Sequence, residues 1–88
     1  MLEWSIVAHN KECNGAEIYK GRFRVVKDCA SACKRLSHMF LFGVGSKCTR
    51  TGCHCWCEES AFADGSCSMD LVHNYILYKY LDSGPGRL

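Results

Sequence analysis

The sequence predicts a small α+β domain with one helix packed across an antiparallel sheet and disulfides holding the two together. Three observations carry this. The chain has 88 residues and eight cysteines, roughly the tenth of all residues at which a short chain is a disulfide scaffold. One segment alone combines helical spacing with capping residues. The remaining apolar segments alternate or run continuously over strand lengths.

Length allows one domain, taken as residues 1–82, and a core that by itself leaves a thin stability margin. A native disulfide contributes about 2–5 kcal/mol in such a domain, so two or three offset the deficit. Because disulfides persist in oxidising compartments, a secreted or extracellular location follows. The even cysteine count leaves no thiol over.

Along the chain, Leu2, Trp4, Ile6 and Ala8 alternate with Glu3, Ser5, Val7 and His9, the period of a half-buried strand. Asn10 to Gly15 has turn composition and carries Cys13. Arg22 and Arg24 alternate with Phe23 and Val25, which predicts a second strand over 21–26 with both arginines on its wet face. The helix is expected over 28–38. Asp28 caps it, while Lys34, Arg35 and His38 suit its negative end. Cys29, Cys33 and Leu36 share one stripe at i, i+4 and i+7.

Met39 to Gly45 is a continuous apolar run, a strand buried on both faces. A polar connection follows over 46–52 with Lys47, Cys48 and Arg50, and then a strand over 53–58. On that strand Cys53, Cys55 and Cys57 face one side, with His54, Trp56 and Glu58 on the other. Asp64-Gly65 marks a tight turn before Cys67. Residues 74–81 form an aromatic closing strand, and 83–88 a flexible tail.

The cysteines also constrain one another. Cys29 and Cys33 lie one helical turn apart, and alternate strand residues are about 6.6–6.8 Å apart on one face. Two parallel helix-to-strand bridges are natural, using two of Cys53, Cys55 and Cys57. Cys13, Cys48, Cys67 and the remaining strand cysteine supply the other two, with the connectivity open. Zinc is the competing use of Cys53, His54, Cys55 and Cys57, but structural zinc sites space paired ligands by two to four residues. No metal or other cofactor is expected.

Other classes are disfavoured. No apolar run is long enough to span a membrane, and the N-terminus lacks the basic start and apolar centre of a signal peptide. The chain is therefore expected to be a mature or excised domain with an added initiator Met. No N-x-S/T sequon occurs. A net charge of +2 without a basic block gives no footprint for nucleic acid. An enzyme is not expected: no G-x-S-x-G element occurs, the histidines are scattered, and Glu58 and Glu59, adjacent on a strand, point to opposite faces.

Two family patterns meet in these residues. Cys29-x3-Cys33, Gly45 to Cys48 and Cys53-His54-Cys55 resemble the cysteine-stabilised αβ motif of defensins and scorpion toxins, over about a third of the chain. Cys13 to Leu81 as a whole resembles a PAN/apple-like domain of invertebrate extracellular proteins. The match is carried by Asp28-Cys29-Ala30-Ser31-Ala32-Cys33, Met39-Phe40-Leu41-Phe42-Gly43, Gly52-Cys53-His54-Cys55-Trp56-Cys57-Glu58, Asp64-Gly65-Ser66-Cys67 and the Asn74–Tyr80 segment. The second resemblance implies an extracellular recognition module for a protein or glycan, monomeric as an isolated domain. The first implies a free-standing secreted toxin or host-defence peptide. The candidate contact residues are His54, Trp56 and Glu58, where Trp56 either anchors a ligand or covers a second core layer. Arg22, Arg24, Lys47 and Arg50 add a cationic rim.

Overall fold

The computed structural model describes residues 2–81, so the tail expected over 83–88 lies outside the described residues. The elements are β1 (Trp4–Cys13), β2 (Ile18–Phe23), α1 (Val26–Cys33), β3 (Met39–Gly43), a 3-10 turn (Gly45–Lys47), β4 (Cys48–Thr49), β5 (Gly52–Cys57) and β6 (Met69–Tyr80). They build an antiparallel sheet in the order β1-β6-β3-β5-β2, with β4 paired to β5.

The apolar run becomes the central strand. All five residues of β3 are buried, and alternation divides them between two layers. Phe40 and Phe42 join Cys55, Cys57, Tyr78 and Tyr80 beneath the helix, whereas Met39 and Leu41 join Cys13, Tyr75 and Leu77 on the reverse face. The helix contributes Cys29, Ala30 and Cys33 to the first layer. Tyr80 of the closing strand reaches up to it, its hydroxyl donating to the Ala30 carbonyl. The sheet is the larger part of the fold, and one short helix covers only part of one face.

All eight cysteines are paired: Cys13–Cys67, Cys29–Cys55, Cys33–Cys57 and Cys48–Cys53. Two bridges bind the helix to β5. The third closes the β4–β5 hairpin, and the fourth ties the end of β1 to the loop over 58–68.

Several boundaries differ from the sequence expectation; the apolar strand, for one, ends at Gly43, and Gly45 opens the 3-10 turn. The helix begins at Val26, after an extended Val25 that makes no side-chain cap, so Asp28 sits in the first turn rather than capping it. There its charge still favours the positive helix end. The helix stops at Cys33, whose carbonyl accepts the N–H groups of Leu36 and Ser37 at 2.9 and 3.1 Å. The chain must descend at once to enter β3, and Leu36 leaves the stripe and is exposed.

The second strand is Ile18–Phe23 rather than 21–26, and leaves Arg24 beyond its end. Residues 10–13 of the turn expected over 10–15 are instead the last part of β1, and β6 starts at Met69 rather than Asn74. One irregularity accounts for both. Asn10 and Asn74 have φ of 57° and 65°, a left-handed conformation that asparagine tolerates better than most residues. Asn10 Oδ1 accepts the Asn74 N–H at 3.0 Å, and Asn74 Nδ2 donates to Ser46 Oγ at 2.7 Å. The pairing jumps there from His9↔Ile76 to Lys11↔Leu71. A second bulge, between Ile6 and Ala8, breaks the first strand's alternation. Ile6 is exposed, and Val7 packs against the reverse layer.

Gly52 shows how tightly the sheet closes. It is buried at φ +125°, and a Cβ there would lie 2.6 Å from the Phe23 carbonyl carbon and oxygen. Gly52→Ala is expected to cost about 1–3 kcal/mol from backbone strain alone, with the clash added. The check is the urea midpoint, and Gly21→Ala makes the comparison. Gly21 also has positive φ (+94°), but a Cβ there would meet nothing within 4 Å, so the smaller loss belongs there.

Candidate functional site

Alternation along β5 points His54 and Trp56 away from the helix, and the neighbouring strands surround them. Tyr19 of β2 lies opposite Trp56, and Arg22 lies opposite His54. Tyr19 and Arg22 are three apart, a spacing that a regular strand sends to opposite faces. A bulge between Tyr19 and Gly21 restores them to the same face. Tyr75 of β6 and Lys47 of the 3-10 turn complete the group.

The side chains form one connected set. The Tyr19 and Trp56 rings are 4.7 Å apart, and the Tyr19 hydroxyl and His54 Nδ1 are hydrogen-bonded at 2.7 Å. Trp56 Nε1 donates to the Tyr75 hydroxyl at 3.1 Å, and Lys47 Nζ stands 5.5 Å from the centre of the Tyr75 ring. Desolvation, and then the positive charges of Arg22 and Lys47, lower the His54 pKa. That shift favours the neutral imidazole, whose Nδ1 pairs with the Tyr19 hydroxyl. Tyr19 is 45% exposed, Trp56 half-buried and Tyr75 buried. The result is a graded platform. Its base belongs to the reverse core layer and its outer edge is open.

Of the residues expected from the sequence, His54, Trp56, Arg22 and Lys47 come together. Arg24 and Arg50 are exposed elsewhere, past the end of β2 and in the β4–β5 turn. Glu58 requires a correction. It points away from the helix layer but is fully buried, with Oε2 accepting the Cys13 N–H at 2.6 Å. A carboxyl with no exposed surface presents nothing to a ligand in this structure. Trp56 packs on the reverse layer, as the core-covering expectation has it, and its ring makes a tilted contact with that of Tyr19.

Tyr19 was not among the expected contact residues. Its signal was the β-forming pair Ile18-Tyr19 with a glycine, Gly21, two residues on. Among the described residues, the cluster with sulfurs close enough to hold a metal is Cys29, Cys33 and Cys55. Those sulfurs are already bonded in the two helix bridges. No described helix is long and apolar enough to cross a membrane. Comparison with protein-family models, curated proteins and solved structures found no match to this chain.

Proposed function

We propose that this chain is an extracellular recognition module of PAN/apple-like organisation that binds a protein or glycan through the Tyr19–His54–Trp56–Tyr75 platform. The observation that carries this reading is that platform's internal bonding. Each aromatic side chain is fixed by a neighbour before any ligand arrives, so little side-chain entropy remains to be lost on binding. Aromatic faces with a polar tip suit protein anchors and sugar rings alike. Lys47 and Arg22 flank the platform and favour an anionic or hydroxyl-rich partner. The extracellular assignment rests on the four disulfides.

The order of opening strand, helix, apolar strand, cysteine-bearing strand and aromatic closing strand supports the PAN/apple-like organisation. The helix–strand bridges also keep the toxin or host-defence reading as the alternative. In these bridges the helical pair joins Cys55 and Cys57, whereas the resemblance to that motif used Cys53-His54-Cys55.

The test is a glycan array together with a panel of displayed extracellular proteins, probed with the oxidised domain. A specific hit should weaken at least about tenfold in Tyr19→Ala, the loss of a hot-spot residue. Leu71→Ala, a change at an exposed residue in the first part of β6, should leave it unaltered. Equal binding by Tyr19→Ala and the parent would place the contact elsewhere. A response from ion channels or microbial membranes, with none from the arrays, would favour the alternative.

A further inference from the structure

A second group of side chains, outside the aromatic platform, has chemistry that its packing leaves unresolved. Glu58 opens the loop over 58–68. Its backbone N–H donates to the Met39 carbonyl at 3.0 Å, and its carbonyl accepts from Ala61 at 3.1 Å. Its side chain is completely buried. One carboxyl oxygen takes the Cys13 N–H, but Oε1 is buried without a donor, and so is Oε2 of Glu17. The two carboxyl groups are within hydrogen-bonding reach of each other, and Glu17 in turn reaches Glu12. Two carboxylates cannot share such a contact unless a proton lies between them.

Among the described residues, the charges that act on these groups are all acidic. The charges bearing on Glu58 are those of Glu17 and Glu12, and those bearing on Glu12 are Glu17 and, from β6, Asp70. Tyr75 of β6 also lies within the field of Glu12 and Glu17. The arrangement is a line rather than a cage. These carboxyls are not among the described groups whose ligand atoms all lie within 4.8 Å of one another, so a proton fits where a coordinated cation does not.

We propose that Glu12, Glu17 and Glu58 form a proton-sharing carboxyl chain that clamps the loop over 58–68 to the end of β1 and loosens it on alkalinisation. The clamp has a covalent neighbour. Cys13, which donates to Glu58, is bridged to Cys67 near the loop's other end, and Asn14 N–H donates to Ser68 at 2.7 Å. Losing the proton sets Glu58 against the like charges of Glu17 and Glu12 at this end of the loop, while the disulfide holds the far end.

The direction with pH follows from linkage. Burial, then Glu17, raises Glu58 from the ordinary 4.5 to about 9, and burial with Glu17 raises Glu12 to about 7. The folded chain thus keeps protons that the unfolded chain has released. This stabilisation is complete below about pH 4.5 and is lost as pH rises through about 7 and then 9.

Urea unfolding of the oxidised domain between about pH 5 and 9.5 tests this. The folded-to-unfolded ratio should fall at least about tenfold over that range. Glu58→Gln keeps an acceptor for Cys13 and supplies its own donor to Glu17, so it should flatten the dependence. A flat or rising parent profile, or an equal slope in Glu58→Gln, would overturn the proposal. Direct 13C titration of the Glu58 carboxyl in the parent gives a reading that does not need the variant to fold, and ionisation near 4.5 would also overturn it. Calcium that restores stability at high pH in the parent, but not in Glu58→Gln, would show a cation site in place of a shared proton.

Discussion

Cys29→Ala/Cys55→Ala is expected to lose about 3–4 kcal/mol of stability, and Cys48→Ala/Cys53→Ala only about 2 kcal/mol, because the loops they close differ in length. The bridged residues are 26 apart in the first case and 5 in the second. Constraint of the unfolded chain grows with the logarithm of that separation. Position widens the gap. Cys29 and Cys55 are fully buried, and Cys55 Sγ lies 3.9 Å from Cys33 Sγ of the adjacent bridge. Removing one bridge therefore opens a void beside the other. Cys48 and Cys53 sit opposite each other in a hairpin whose next pair, Thr49↔Gly52, stays in register without them. A domain of this size has about 5–15 kcal/mol in total, so a helix bridge is a large share of it. Urea unfolding of both variants with the remaining bridges oxidised decides the matter. Equal losses would mean that loop length and burial do not set these energies.

The helix bridges were legible in the sequence because two periodicities overlap there. Spacing of four on a helix and two on a strand puts sulfurs on facing surfaces, whatever the rest of the fold does. The central strand was legible for a similar reason, since five apolar residues in succession need cover on both sides. Bulges were not. Asn10 reads as a turn residue because left-handed asparagine is commonest in turns, and only the partner strand reveals that it deforms a ladder instead. The same limit applies at the two sites. Alternation correctly separates His54, Trp56 and Glu58 from the cysteine face, but a face is not a surface. Whether a residue on it meets solvent depends on the loop over 58–68, whose path is set by the Cys13–Cys67 bridge and the Asp64-Gly65 turn. Tyr19 joined the platform through the bulge between it and Gly21, which strand periodicity alone does not reveal.

Phe40→Ala is expected to cost about 3–5 kcal/mol, even with all four disulfides intact. Phe40 is fully buried in the central strand. Its ring stacks on Tyr78 with centres 5.1 Å apart and planes 10° apart, and meets Tyr80 at 5.1 Å in a tilted contact. The bridges cannot compensate for its loss. They act mainly by limiting the unfolded chain, whereas the missing ring leaves a cavity in the folded one. Tyr80 should transmit the change to the helix, since its hydroxyl is bonded to Ala30 and its ring loses a neighbour. Amide exchange should therefore rise in α1 as well as in β3, along with a lower urea midpoint. Phe42→Ala provides the comparison, because Phe42 lies on the same face but retains 7% exposure, and its cost should be smaller. Phe40→Leu should recover more than half of the loss by refilling the space. If Phe40→Ala instead leaves both midpoint and exchange unchanged, the disulfides alone hold the fold, and the aromatic layer beneath the helix is not its core.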